Sequence, residues 1–405
     1  MFWQDKGFAN NQKWAVLFVL LKRSHVFFDY LEGDELMPVF SVDQLTRVFN
    51  ALADHFGMNE AEKSAWVEAS LLAELFGNLM QSLAYFEHHN LLRITNGVTN
   101  LGATPRIVKD LPGMAILDAE GALGPLVART AMELACRKAK TSGAFMVAVR
   151  NSTDWNMISY STLQALKYDC VGIVICNSRP EVAPWGGTTP VYGMNPFSVA
   201  IPTGRHFPIF VDMASSNSGG LEAMRHLILR DRLPDTIQFF DKTGRIIEDP
   251  KAWGVTAGWG LDKGAQRMAG YRDMALTVIT DSIGGALTGM KCALDLGVPE
   301  LLQNSPRTPR GQMVMAMHID HFTPVGEFKA KIDRAIDHAK ASPLEPGFSE
   351  ILMPGEREFR EEERRRRDGV PILDKVWDRV GKLMRARGVD IDKIAGPPIR
   401  PEAVE

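Results

Sequence analysis

The apolar positions of this chain fall into two rhythms. From residue 41 they recur at helical spacing: Leu45, Val48, Phe49, Leu52 and Phe56 share one side of a predicted helix. Ser41 with Gln44 forms a capping-box pattern ahead of that run, and Gly57 is placed to end it. Asn59 with Glu62 repeats the start signal for a second helix through Val67, Leu71 and Leu75. Near residue 113 the rhythm shortens. GMAILD opens a strand and a glycine-rich turn, followed by a helix through Ala131–Lys140. AFMVAVR (144–150), CVGIVIC (170–176), PFSVAIP (196–202) and FPIFVDMA (207–214) are short and rich in β-branched residues, which predicts strands. From about 281 the helical pattern returns in DSIGGALTGMKCALDLG. MVMAMHID (313–320) predicts one more strand, and VGEFKAKIDRAIDHAKAS an amphipathic helix. The tail, IAGPPIRPEAVE, reads as loose.

A strand-rich middle therefore interrupts a helical unit made by both ends. The boundaries that follow are an N-terminal extension at 1–40, a helical part at 41–112 and 290–405, and a sheet unit at 113–289. No internal repeat or low-complexity linker is visible.

Composition narrows the function. The chain has 405 residues, 45% of them hydrophobic and 23% charged, with a net charge of -3. Without a basic excess there is no footprint for nucleic acid, whose phosphates dominate affinity. The run REEERRRRDG (360–369) interleaves both signs and reads as a solvated helix face. WAVLFVLL (14–21) is too short to span a bilayer, and its positive charges follow the apolar run, where a signal peptide would have them precede it. Cys136, Cys170, Cys176 and Cys292 lack paired spacing and read as thiols of a reducing, cytoplasmic compartment.

Several motifs are missing. There is no GxGxxG after a strand, no GxxxxGK[ST] and no GxSxG. His318, Asp320 and His321 lie close in sequence, but strand alternation separates His321 from the other two, so no metal is expected. His88–His89 reads as surface or interface.

One stretch is specific. CNSRPEVAPWGGTTPVYGMNPFSVAIP (176–202) and VDMASSNS (211–218) resemble the type-2 malate/L-lactate dehydrogenase family, whose relatives include ureidoglycolate dehydrogenase and diketogulonate reductase. VAVRNS, DKTGRIIEDP (241–250), DSIGGALTG (281–289), FTPVGEFKAKID (322–333) and PGEREFR (354–360) follow in the same order. The resemblance implies an α/β protein with a mostly antiparallel sheet, beside a discontinuous helical domain built from both chain ends. It implies NAD or NADP bound without a Rossmann fold, and a homodimer acting on a small-molecule substrate, with no nucleic acid and no membrane. The cofactor loop then corresponds to Asn177, Ser178, Arg179, Pro180, Glu181 and Val182, with Trp185 shaping it. Backbone amides there are expected to cradle a pyrophosphate. Adenine-side contacts fall near Leu233, Pro234 and Asp235, and Gly355, Glu356 and Arg357 close over the same ligand.

On the substrate side the chain departs from the family. A Ser-His-Gly is replaced by Met80-Gln81-Ser82, an Arg four residues on by Tyr85, and a Gln or His by Pro125. An Asn-His-Phe-Gly becomes Thr153-Asp154-Trp155-Asn156, and a Lys-Gly-Tyr-Gly becomes Arg272-Asp273-Met274-Ala275. Gln81 cannot give and recover a proton as histidine does near neutral pH. Three readings stay open. In the first, an oxidoreductase takes an atypical carbonyl, hydroxy or imine substrate. Asp154 or Tyr160 handles protons, Arg150 or Arg272 meets an anion, and Tyr85, Ser152 and Trp155 contact the substrate. In the second, the scaffold binds but does not turn over. In the third, it runs a non-redox lyase or isomerase step. Asp154 reads equally as a plain turn cap.

Overall fold

The computed structural model describes residues 37–78, 81–215, 238–241, 243–247, 265–268, 270–296 and 310–399. The apolar run at 14–21, Met80, Leu233, Pro234 and Asp235 lie outside the described residues. In chain order the first half holds β1 (Val39–Phe40), α1 (Val42–His55), α2 (Glu60–Leu75), a short α3 (Leu92–Thr95), β2 (Arg106–Asp110), β3 (Met114–Asp118), α4 (Gly124–Ser142), β4 (Ala144–Ser152), α5 (Ser159–Gln164) and β5 (Cys170–Cys176). Then come β6 (Phe197–Ile201), β7 (Ile209–Met213), β8 (Phe239–Phe240), β9 (Ala265–Gln266), α6 (Tyr271–Asp281), a π-type helix (Ser282–Leu287), α7 (Ala293–Leu296) and β10 (Arg310–His318). The chain closes with α8 (Val325–Lys340), α9 (Glu356–Asp368), β11 (Val370–Pro371), α10 (Asp374–Arg385) and α11 (Ile391–Ala395).

Seven strands form one sheet in the order β2-β3-β4-β10-β5-β6-β7. Among the described strands of this sheet, only β3 and β4 run parallel, because α4 carries the chain across between them. The other neighbours are antiparallel, so the protein is mixed α/β with a mostly antiparallel sheet. β10 is a correction to the boundaries expected from sequence. It lies beyond residue 289, yet it is the sheet's central strand, paired with β4 on one side and β5 on the other. Its alternation explains the position: Val314 and Ala316 are fully buried and face α4 with Val147 and Val174. The expected 281–297 helix is broken. Ser282–Leu287 form wide π-type turns directly after α6, and regular helix resumes only at α7.

The two capping boxes form. Gln44 N donates to Ser41 Oγ at 3.1 Å while Ser41 N donates to Gln44 Oε1 at 2.8 Å. Asn59 and Glu62 reciprocate in the same way. Each such cap is worth about 1 kcal/mol. A second hydrophobic cluster joins α1 and α2 to α10 and α11, so the two chain ends share one core: Phe40 stacks on Trp377 and Trp66 meets Phe49 edge-on.

Candidate active site

The turn after β4 is where sequence reasoning placed the chemistry. Asn151 and Asn156 take positive φ there, and the carbonyl of Asp154 lies against α4, where any side chain on Gly124 would collide with it. The carboxylate of Asp154 is the hub. Its Oδ2 accepts from Arg93 Nη2 at 2.9 Å and from Arg310 Nη1 at 3.0 Å, and its Oδ1 accepts from Asn156 N at 3.0 Å. The three charged side chains keep only 16–22% of their surface. Asp154 thus combines the turn cap with a counter-ion role between two guanidinium groups. Neither arginine was visible as a site residue in sequence, because they stand 61 and 156 positions away from it.

The other expected substrate contacts scatter. Trp155 is 2% exposed, sits in the main core and donates its indole N–H to Ser152 Oγ at 2.8 Å. Ser152 is itself 1% exposed. Both are buried supports of the turn, where an open contact surface was expected. Tyr160 donates its hydroxyl to Glu68 Oε2 on α2 at 2.8 Å, and burial with the nearby Glu68 charge pushes its pKa up. That hydroxyl bridges two helices and is poorly suited to proton handling at neutral pH. Arg150 donates to the Thr288 carbonyl and lies over Gly289. Arg272 lies exposed in the first turn of α6. Tyr85 ends a short turn (Leu83–Tyr85), and its side chain lies outside the description. Gln81 is partly buried, and its Oε1 has no hydrogen-bond partner.

A second buried amide shares that condition. Gln312 on β10 is 2% exposed and its Oε1 has no partner. In register it stands between Val149 and Cys176, two residues from Arg310. Burial pushes the Cys176 thiol up, as do the nearby charges of Asp154 and Asp212, against the pull of Arg310. Asp212 accepts Ser159 N at 2.7 Å, and desolvation pushes its carboxyl up to about 6.

The loop after β5 is tightly knit. Asn177 N donates to the Gly311 carbonyl at 3.3 Å, Gly311 N to Asn177 Oδ1 at 3.1 Å, and Asn177 Nδ2 to the Lys291 carbonyl at 2.7 Å. Ser178 N donates to Asn195 Oδ1 at 2.8 Å, and Gly193 leaves no room for a Cβ against Ser178 and Asn195. Glu181 and Val182 amides both donate to the Tyr192 carbonyl at 2.8 Å, with Pro180 buried between them and Ser178. The amides of Asn177, Ser178, Glu181 and Val182 are therefore spent inside the protein, which corrects the expected backbone cradle. Side chains remain as the fit to a dinucleotide: the guanidinium of Arg179, paired with Glu181, and the ring of Trp185, which is 48% exposed. A phosphate would meet a cation there, and a base would meet a flat aromatic face.

The turn at Gly355, Glu356 and Arg357 packs beside β7. Phe210 N donates to the Pro354 carbonyl at 3.2 Å, and Gly355, with φ +86°, presses on the Phe210 ring. Glu356 bridges Lys340 and Arg360, and Arg357 pairs with Glu358. Among the described residues no group of three or more His, Cys, Asp or Glu side chains could hold a metal ion. None of their helices is long and apolar enough to cross a membrane.

Residues 40–381 match the family model described as malate/L-lactate dehydrogenase. The chain belongs to that family. It is 31% identical to the malate dehydrogenase of Pyrococcus abyssi over 325 residues, covering 77% of this chain and 86% of that protein. It is 30% identical to the L-sulfolactate dehydrogenase of Methanocaldococcus jannaschii over 338 residues, covering 83% and 94%. Among solved structures, the malate dehydrogenase of Pyrococcus horikoshii superposes with a TM-score of 0.77 at 26% identity, covering 89% of this chain and 99% of that one. That of Entamoeba histolytica shares the fold with a TM-score of 0.81 at 24% identity, covering 87% and 99%. The relatives are dehydrogenases and reductases, ureidoglycolate dehydrogenase and 2,3-diketo-L-gulonate reductase among them.

Proposed function

We propose that this protein is an NAD(P)-dependent oxidoreductase of small carbonyl, hydroxy or imine compounds, with a substrate pocket built differently from the family's usual one. The observation that carries the reading is the framework around the loop after β5. Asn177, Ser178, Gly193, Asn195 and Gly311 interlock through buried hydrogen bonds and close approaches that admit no larger side chain. In that framework Arg179 and Trp185 would hold the dinucleotide, and a bound nicotinamide supplies the hydride acceptor or donor. Asp154 holds Arg93 and Arg310 in place.

Titration with NADH and NADPH, followed by tryptophan quenching and energy transfer, tests the reading. Saturable micromolar binding is expected; no binding at millimolar cofactor refutes it.

We also propose a homodimer in a reducing, cytoplasmic setting. Register places Met114, Met146, Met315, Ile173, Val199 and Val211 in one lateral row across six strands, on the face opposite the buried core. Met146 in that row is 43% exposed, a surface suited to a second copy. Sedimentation giving a monomer at micromolar concentration would refute the dimer.

A further inference from the structure

We propose that Cys136 and Cys170 close into a reversible disulfide, a peroxide-sensitive modification site at the end of the sheet remote from the turn after β4. This site is independent of the oxidoreductase reading. Both thiols are free, and both are buried in the main core. Topology brings them together. α4 runs back against the parallel strands β3 and β4, and β5 points the same way as β4 because both are antiparallel to β10. A forward step along α4 therefore matches a backward step along β5. Met132 on α4 reaches β5: its Cε lies 3.3 Å from the point where a Cβ on Gly172 would sit. Cys136 is one turn on from Met132, and Cys170 is two residues back from Gly172 on the same face. The next layer of that contact is sulfur on sulfur, and the Cys136 thiol donates to the Cys170 sulfur.

That hydrogen bond holds the Cys170 thiol below its ordinary range and the Cys136 thiol above it, so Cys170 is the sulfur that ionises. Protonated, Cys170 donates to the Tyr168 carbonyl at 3.4 Å. His318 stands opposite Cys170 on β10, and beside them Ile319 N donates to the Asp169 carbonyl at 3.1 Å. The two face each other as a non-hydrogen-bonded pair, in which side chains come closest. The His318 Nδ1 is buried without a hydrogen-bond partner and takes the Cys170 proton. The Cys170 thiolate attacks one oxygen of hydrogen peroxide, and the O–O bond breaks. Cys170 becomes a sulfenic acid, and the departing hydroxide takes the proton from His318. The Cys136 sulfur then attacks the Cys170 sulfur, the S–O bond breaks, and the second hydroxide leaves as water with the Cys136 proton. Two thiols are oxidised and one peroxide is reduced to two waters. Cys170 is the first residue of β5, where local opening of a strand end admits so small an oxidant. The bond closes a loop of about 35 residues that carries β4, the Asp154 turn and α5. Register sets Cys170 and Ala144 at one end of the sheet and Ser152, which leads into that turn, at the other. Oxidation therefore changes stability while the turn keeps its place.

The test uses the full chain, reduced and then exposed overnight to hydrogen peroxide. Remaining thiols are alkylated after denaturation, peptides are mapped by mass spectrometry, and thermal unfolding is followed in parallel. The peptides of Cys136 and Cys170 are expected to be joined within one chain, with Cys176 and Cys292 left out of the bond. The melting temperature should rise by about 3–5 °C, as closing a loop of that length in a chain of this size implies. Dithiothreitol should reverse both changes, whereas it would leave oxidised methionines as they are. In Cys136→Ala the rise should vanish and Cys170 should stop at the sulfenic acid, which dimedone traps. In Cys170→Ala the rise should vanish too, while Cys292→Ala should keep both the bond and the rise. If neither alanine variant at 136 or 170 folds, the peptide map of the native chain decides by itself. Cys136 and Cys170 both still free after the exposure would overturn the proposal. So would a bond through Cys176 or Cys292, or a reversible rise that persists in Cys136→Ala.

Discussion

Replacing Asp154 distinguishes a counter-ion from a catalytic base. In Asp154→Asn the shape of the side chain is kept. One oxygen can still cap Asn156 N, but the charge facing Arg93 at 2.9 Å and Arg310 at 3.0 Å is gone. Removing one partner from a buried ion pair costs about 3–5 kcal/mol, because the remaining charge is left uncompensated. Here the side chains keep 16–22% of their surface, and water recovers part of that cost. The expected destabilisation is about 2–3 kcal/mol for the asparagine variant. The alanine variant, which also loses the turn cap, should cost about 1 kcal/mol more. For a chain of this size the asparagine change corresponds to a drop of about 2–4 °C in melting temperature. Thermal unfolding at low and high salt is the assay. The loss should persist in salt, because a pair this enclosed is screened less than a surface one. A melting temperature within about 1 °C of the native protein, with turnover or ligand binding abolished, would refute the counter-ion argument and return Asp154 to the chemistry.

Other outcomes follow from the same geometry. Gly193→Ala should cost about 2 kcal/mol or more and weaken cofactor binding, because the added Cβ meets Ser178 and Asn195; native-like unfolding would show that the loop can yield. Glu74→Gln tests a buried carboxyl. Glu74 is 4% exposed, accepts Leu83 N at 2.8 Å, and burial raises its pKa against the pull of that N–H and of Arg365. Its folded pKa lies above the unfolded one, so its ionisation penalty is absent below about pH 4.5, grows as pH rises through the folded pKa and is complete above it. Stability of the variant relative to the native protein should therefore improve from pH 4 to pH 8, and a pH-independent difference in melting temperature would contradict this. Gly284→Ala should disturb the Asn177 clamp, since its Cβ would lie 2.7 Å from Asn177 N; unchanged stability and NADH affinity would show that the π-type helix can shift.

Local patterns carried much of the fold. The Ser41–Gln44 and Asn59–Glu62 boxes, the strand at 170–176 and the helix at 325–340 depend on neighbours a few residues apart, and those are written in the chain. The family resemblance was equally legible, because the loop after β5 is a continuous stretch whose glycines and prolines are required by its own turns. Tertiary structure alone decided the rest. β10 becomes the central strand because its two faces and both edges are satisfied only between β4 and β5, a pairing across more than a hundred residues. The loop's amides are spent on Gly311, Asn195 and Tyr192, which no local rule announces. The charge cluster is the clearest case. Asp154 was visible as a polar turn residue, but its meaning depends on Arg93 and Arg310 arriving from distant parts of the chain. Electrostatic pairing acts through space, and sequence records only distance along the chain.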